Sequence, residues 1–139
     1  MTTTVRPNDG AGAITFGMTR EQVRRLLSDE AARVKATDSV VPADYFAQRG
    51  MIVHYTDDGL VEAVELGSLA EPEVFGEPIV GRPFDEVLTW LRSHDPRVEV
   101  DESGFTSFRF GIGAYAPHAS KSASDPIEGV IVFRPGYYG

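Results

Sequence analysis

One pattern occurs twice in this chain, and a duplicated unit limits architecture before any single residue suggests chemistry. GMTREQVRRLL, from Gly17 to Leu27, aligns without a gap on GRPFDEVLTWL, from Gly81 to Leu91. The glycine recurs, and so do an acidic residue (Glu21, Asp85) and an apolar triplet (Val23, Leu26, Leu27 against Val87, Trp90, Leu91). Downstream, VEAV at 61–64 matches IEGV at 127–130, and a tyrosine, Tyr55 or Tyr115, closes the preceding strand in both copies.

Each copy reads as a helix followed by antiparallel strands. Thr19 with Gln22 makes a capping box before the first helix, which runs to about 28–31. Its apolar stripe is Val23, Leu26 and Leu27, with Glu21, Arg24 and Arg25 on the other side. Pro83, Asp85 and Glu86 suit the first turn of the second helix, and Phe84, Val87, Leu88 and Leu91 form its buried stripe, with Trp90 at the margin. The run 33–41 reads as either a strand or an irregular connection. MIVHYTDDGLVEAVEL spells a hairpin around Asp58-Gly59. FTSFRFGIGAYAP reads as one long strand in which Phe108, Phe110 and Ile112 alternate with Ser107, Arg109 and Gly111. Residues 1–12 read as a flexible lead-in and the Ser-rich stretch 116–126 as a mobile loop.

The expected fold is therefore α+β. Two tandem helix-then-antiparallel-strands repeats, 13–67 and 77–134, are joined by a short linker, 68–76, within a single domain at 13–139. They form one sheet with the helices on one face and the other face open.

Composition excludes several function classes. A hydrophobic content of 42% is that of a globular chain. Positive residues number 13 and negative ones 21, a net charge of −8, which argues against nucleic acid and suits a basic protein partner. With no cysteine, disulfides and thiolate chemistry are excluded. No apolar run is long enough for a signal-peptide core or a membrane span, so a cytoplasmic location is the default expectation.

GMTREQV resembles the opening of the repeat in the small lipoproteins of the outer-membrane β-barrel assembly machinery (the SmpA/OmlA type). It is also similar to the repeat of the β-lactamase-inhibitor proteins, which carry two such units in tandem. Gly17, Met18, Thr19 and Val23 carry the match in the first copy, and Gly81 and Val87 in the second. The lipoproteins have an acylated cysteine and the inhibitors have disulfides, neither of which this chain can supply. What the resemblance implies is a helix-plus-sheet tandem that presents a sheet face to another protein, a layout similar also to small bacterial toxin-immunity proteins.

No catalytic, cofactor or metal motif stands out. His54, His94 and His118 lack helical zinc spacing, and TDDGLVEAVE lacks the alternating oxygen ligands of a calcium loop. Asp57 and Asp58 suit the turn. Glu62 and Glu65 read as an acidic patch on strand positions. Met51, Tyr55, Arg109 and Tyr115 are of types enriched at interfaces and belong on the open face, although Tyr55 and Tyr115 fit the sheet edge equally well. Arg20, Arg24 and Arg25 read as a solvated helix face.

The expected function is non-enzymatic binding: a cytosolic immunity or inhibitor protein that masks a protein partner, a basic toxin domain being the concrete candidate. No cofactor, nucleic acid or membrane is expected. Two alternatives stand beside it: a small-ligand binder or enzyme with a cleft around His54, and a self-associating scaffold.

Overall fold

The computed structural model describes residues 2–27, 32–34 and 41–138. The expected end of the first helix at 28–31 and most of the 33–41 connection lie outside the described residues. In chain order, the first half contains β1 (Thr3–Arg6), β2 (Gly10–Ala11), β3 (Ile14–Thr15), α1 (Arg20–Leu27), β4 (Ala32–Val34), β5 (Ala43–Phe46), β6 (Met51–Tyr55) and β7 (Val61–Leu66). Then come β8 (Pro72–Val74), β9 (Glu77–Pro78), α2 (Phe84–Arg92), β10 (Glu99–Asp101), β11 (Gly104–Ser107), β12 (Ile112–Tyr115) and β13 (Gly129–Phe133).

The class is α+β, with two mostly antiparallel sheets rather than the expected one. The larger has the order β10-β11-β12-β13-β7-β6-β5-β4, and the smaller β3-β2-β1-β8-β9. The second sheet forms from the segments read as lead-in and linker. Thr3 and Thr4 pair in parallel with Pro72 and Glu73, and Val5 and Val74 are buried. The Arg6 guanidinium fixes the first turn by donating to the Ile14 carbonyl (2.7 Å), the Thr15 hydroxyl (3.1 Å) and the Gly12 carbonyl. Such pairings join residues far apart in sequence, so no local period announces them.

Both helices begin where the sequence places them. The Thr19 N–H donates to Gln22 Oε1 (2.9 Å), and the Gln22 N–H to Thr19 Oγ1 (3.1 Å), a reciprocal cap that satisfies two otherwise orphan donors. At α2, the N–H groups of Phe84 and Asp85 donate to the carbonyls of Asp125 and Ala123, both 2.9 Å away, so the 116–126 loop closes that helix end. Phe84, Val87, Leu88 and Leu91 are buried as expected. In α1 only Val23 and Leu27 are, whereas Leu26 is 49% exposed and corrects the expected stripe. The inward face of α1 has rotated toward Arg20 and Arg24.

The long strand expected across 105–117 is instead a hairpin, β11 to β12, reversing at 108–111. Gly111 has φ +66°, and a Cβ there would sit 2.4 Å from the Phe133 carbonyl oxygen, so only glycine fits this reversal. Asn8, about a hundred residues away, holds the turn: its N–H donates to the Phe110 carbonyl (3.0 Å) and its side-chain amide to that of Arg109 (2.9 Å).

Residues facing the helices and small sheet form one contiguous core. Across the large sheet this face includes the opposed row Phe46, Met51, Leu66, Val130, Ala114 and Phe105. Strand side chains alternate between faces. The adjacent row, Tyr45, Ile52, Glu65, Ile131, Gly113 and Thr106, therefore looks the other way.

Candidate functional site

That second row forms the floor of a groove of about 470 Å³. Gly129 leaves the floor low because it carries no side chain, whereas the space above Gly113 is taken by the Ile131 side chain. Gly113 lies opposite Ile131, and a Cβ on it would meet Ile131 Cγ2 at 2.9 Å. Tyr115 pairs in register with Gly129 and stands 52% exposed, with Tyr45 and Tyr138 as further ring walls. Glu65 and Asp101 supply carboxylates.

The C-terminal segment covers part of the face. Tyr138 packs edge-on against Phe133 at 4.9 Å between ring centroids, Tyr137 stacks on Phe133 at 5.9 Å, and Phe108 closes the far side at 6.0 Å. Arg134 anchors this strap: its N–H donates to the Glu62 carbonyl (3.0 Å) and its guanidinium to the Glu62 carboxylate (3.2 Å). Burial pushes the Tyr137 hydroxyl up to about 12, with Tyr138, Glu62 and Glu65 adding to the shift. Tyr138 is raised by burial first, then by the charges of Glu65 and Asp101.

The six residues expected at the interface divide. Glu65 and Tyr115 line the groove. Met51 and Tyr55, at 5% and 4% exposure, point into the core instead. Tyr55 and Tyr115 thus lie on opposite faces, which corrects the expectation that both belong on the open face. Glu62 is half-buried and occupied by Arg134, so the acidic patch is Glu65 with Asp101. Arg109 sits in the 108–111 turn, where it donates to the His94 carbonyl at 3.2 Å, and it does not line the groove.

A second polar cluster was not foreseen. Asp44 on β5 is fully buried and accepts from Arg20 Nη1 (2.7 Å), Arg24 Nε (3.0 Å), Arg24 Nη2 (2.7 Å) and the Tyr55 hydroxyl (2.9 Å). Arg20 also donates to the Pro42 carbonyl (2.6 Å) and lies over the Tyr55 ring. Burial pushes the Asp44 carboxyl up. Hydrogen bonds from Arg24 and Tyr55, with the charges of both arginines, outweigh it and hold the carboxyl below its usual range. Burial and the Asp44 charge together drive the Tyr55 hydroxyl upward. The helix alignment contained the clue: it sets Arg20 and Arg24 on Phe84 and Leu88, two buried positions where arginine demands an acid. Both carboxylate oxygens of Asp44 are engaged by these donors.

His54 Nε2 bonds the Glu65 carboxylate beside the groove. Among the described residues no group of three or more His, Cys, Asp or Glu side chains is arranged to hold a metal ion, and no helix is long and apolar enough to cross a membrane. The molecule is thus an α+β protein with helices and a small sheet on one face of a large sheet and an aromatic, acidic groove on the other. Comparison of the chain with family models, with curated proteins and with solved structures finds no match.

Proposed function

We propose that this protein is a non-enzymatic binding module, a cytosolic immunity or inhibitor protein that masks a basic protein partner with the open face of its large sheet. The observation that carries this reading is the groove, which gathers Glu65, Asp101 and three tyrosines on the face left free by the helices. Exposed tyrosine is favoured at interfaces because a large rigid ring is immobilised at little entropic cost. The net charge of −8 would accelerate encounter with a basic surface.

We further read the scaffold as a duplicated unit. Matched hydrogen bonds support it: Gly17 N–H to Val61 O (3.0 Å) and Val61 N–H to Met18 O (2.8 Å) correspond to Gly81 N–H to Ile127 O (2.8 Å) and Ile127 N–H to Arg82 O (2.9 Å). The bridges Thr19 with Leu60 and Pro83 with Pro126 correspond likewise. The resemblance to tandem inhibitor repeats rests on this frame and on the GMTREQV motif. Fold by itself does not define function.

The test is affinity capture, identification of the captured protein, and measurement of its dissociation constant against surface variants. Glu65→Lys and Tyr115→Ala should each weaken binding at least about tenfold, as interface anchors do, while Glu21→Lys on the outer side of α1 should not. Equal affinity for all three variants would remove the groove from the interface. The small-ligand reading retains one supporting observation: the groove volume lies within the range of small-molecule sites, roughly 300–1,000 Å³. Saturable binding of a metabolite, with no protein partner captured, would favour it.

A further inference from the structure

We propose that the groove seats arginine side chains from an extended segment of the partner, with the guanidinium groups set against its tyrosine rings and its carboxylates. This rests on the protein-binding reading and adds the chemistry of what enters the groove. Three features of the site converge on that occupant.

The first is shape. The floor is low at Gly129, and the groove is lined by the rings of Tyr45, Tyr115 and Tyr138. A planar delocalised cation stacks on such rings, whereas a compact ammonium gains less from them. The second is unused acceptor capacity. Glu65 bonds His54 through Oε2, leaving Oε1 without a protein partner among the described residues. Asp101 Oδ1 accepts from the Ser103 N–H (2.8 Å) and hydroxyl (3.0 Å), leaving Oδ2 equally free. A free carboxylate oxygen suits a guanidinium donor, whereas a hard cation would require six or so oxygens gathered together.

The third is that both carboxylates line the same groove, Glu65 from β7 and Asp101 from β10. Tyr138 feels the charges of Glu65 and Asp101 together, so the ring lies within the field of both. Among the described residues no lysine or arginine lines the groove to neutralise them. An arriving cation therefore meets negative charge beside apolar ring faces, with the net charge of the chain steering it inward.

The experiment uses the full chain, isotopically labelled for amide NMR, and two probes. One is acetyl-Val-Arg-Val-Arg-Val-amide; the other replaces both arginines with citrulline, which preserves shape and removes charge. The arginine peptide is expected to shift the amides of Gly113, Gly129 and Ile131, to bind about tenfold more tightly than the citrulline peptide, and to weaken as salt rises. Glu65→Gln combined with Asp101→Asn should abolish that preference while leaving the rest of the amide spectrum in place. If the two peptides perturb the groove with equal affinity, or if the double variant keeps the preference, the cation inference is overturned and groove docking survives. If neither peptide shifts the groove amides, both readings fall.

Discussion

The junction between helix and sheet is built twice in this molecule, from opposite chemistries. In the first half α1 meets β5 through Arg20, Arg24, Asp44 and Tyr55, a buried carboxylate held by two guanidinium groups and a phenol. In the second half α2 meets β11 through Phe84 and Phe105, with the two phenyl rings 5.8 Å apart, and Leu88 is buried one turn further along the helix. The helix alignment places Arg20 on Phe84 and Arg24 on Leu88. If the scaffold is the duplicated unit proposed above, one backbone arrangement accepts either a satisfied ionic network or a plain apolar contact. What differs is tolerance: an apolar plug degrades gradually as atoms are removed, whereas an ionic one fails when any partner is lost.

The largest effect expected from breaking this comparison is that of Asp44→Ala. It leaves two guanidinium groups facing a buried void and should cost about 3 kcal/mol, the lower end for a broken buried pair because Arg24 stays partly in water. Urea denaturation would show it as a fall in midpoint.

Copying the second half onto the first is the sharper test. The combined change Arg20→Phe, Arg24→Leu and Asp44→Phe should recover most of that loss and end within about 1–2 kcal/mol of the starting protein, since apolar replacements of buried ion clusters are commonly neutral or stabilising. If the triple variant is as unstable as Asp44→Ala, the two junctions do not share a frame.

Acid separates the halves by charge alone. Asp44 is held below its usual range in the fold, so the unfolded chain takes up its proton first. The stability it contributes is complete above the unfolded carboxylate range and is lost as pH falls through the folded pKa. Urea midpoints measured from pH 7 down to pH 3 should fall more steeply for the natural chain than for the triple variant.

The smallest expected effect concerns the helix starts. Thr19→Ala removes the reciprocal cap of α1 and should cost about 1 kcal/mol. The second helix starts at Pro83 without a side-chain cap and has no such term to lose. Thermal melts would resolve the difference.

What could be read from the sequence follows the range of the interactions. The cap at Thr19 and Gln22, the stripe of α2 and the hairpin at 51–66 are local, and three- or four-residue spacing or a turn pair announces them. The hairpin at 104–115 was taken for one strand because Phe108 and Phe110 alternate correctly across it, while the side chain that fixes the turn is Asn8. Glu65 and Tyr115 were identifiable as exposed strand residues. Met51 and Tyr55 were not assignable without register, since moving one residue along a strand changes the face. Asp44 is one of 21 acidic residues, and nothing local in the sequence marks Arg20 and Arg24, a helix away, as its partners.

The parallel pairing of β1 with β8 has a consequence for synthesis. Residues 3–6 leave the ribosome before their distant partners: Thr3 and Thr4 gain their β8 neighbours only when Pro72 and Glu73 arrive, and Asn8 its turn only with Arg109 and Phe110. Until then the β8 side of this segment has only water to bond. A short Thr-rich stretch with one guanidinium is a suitable composition for that wait, because it offers little apolar surface on which to misassemble.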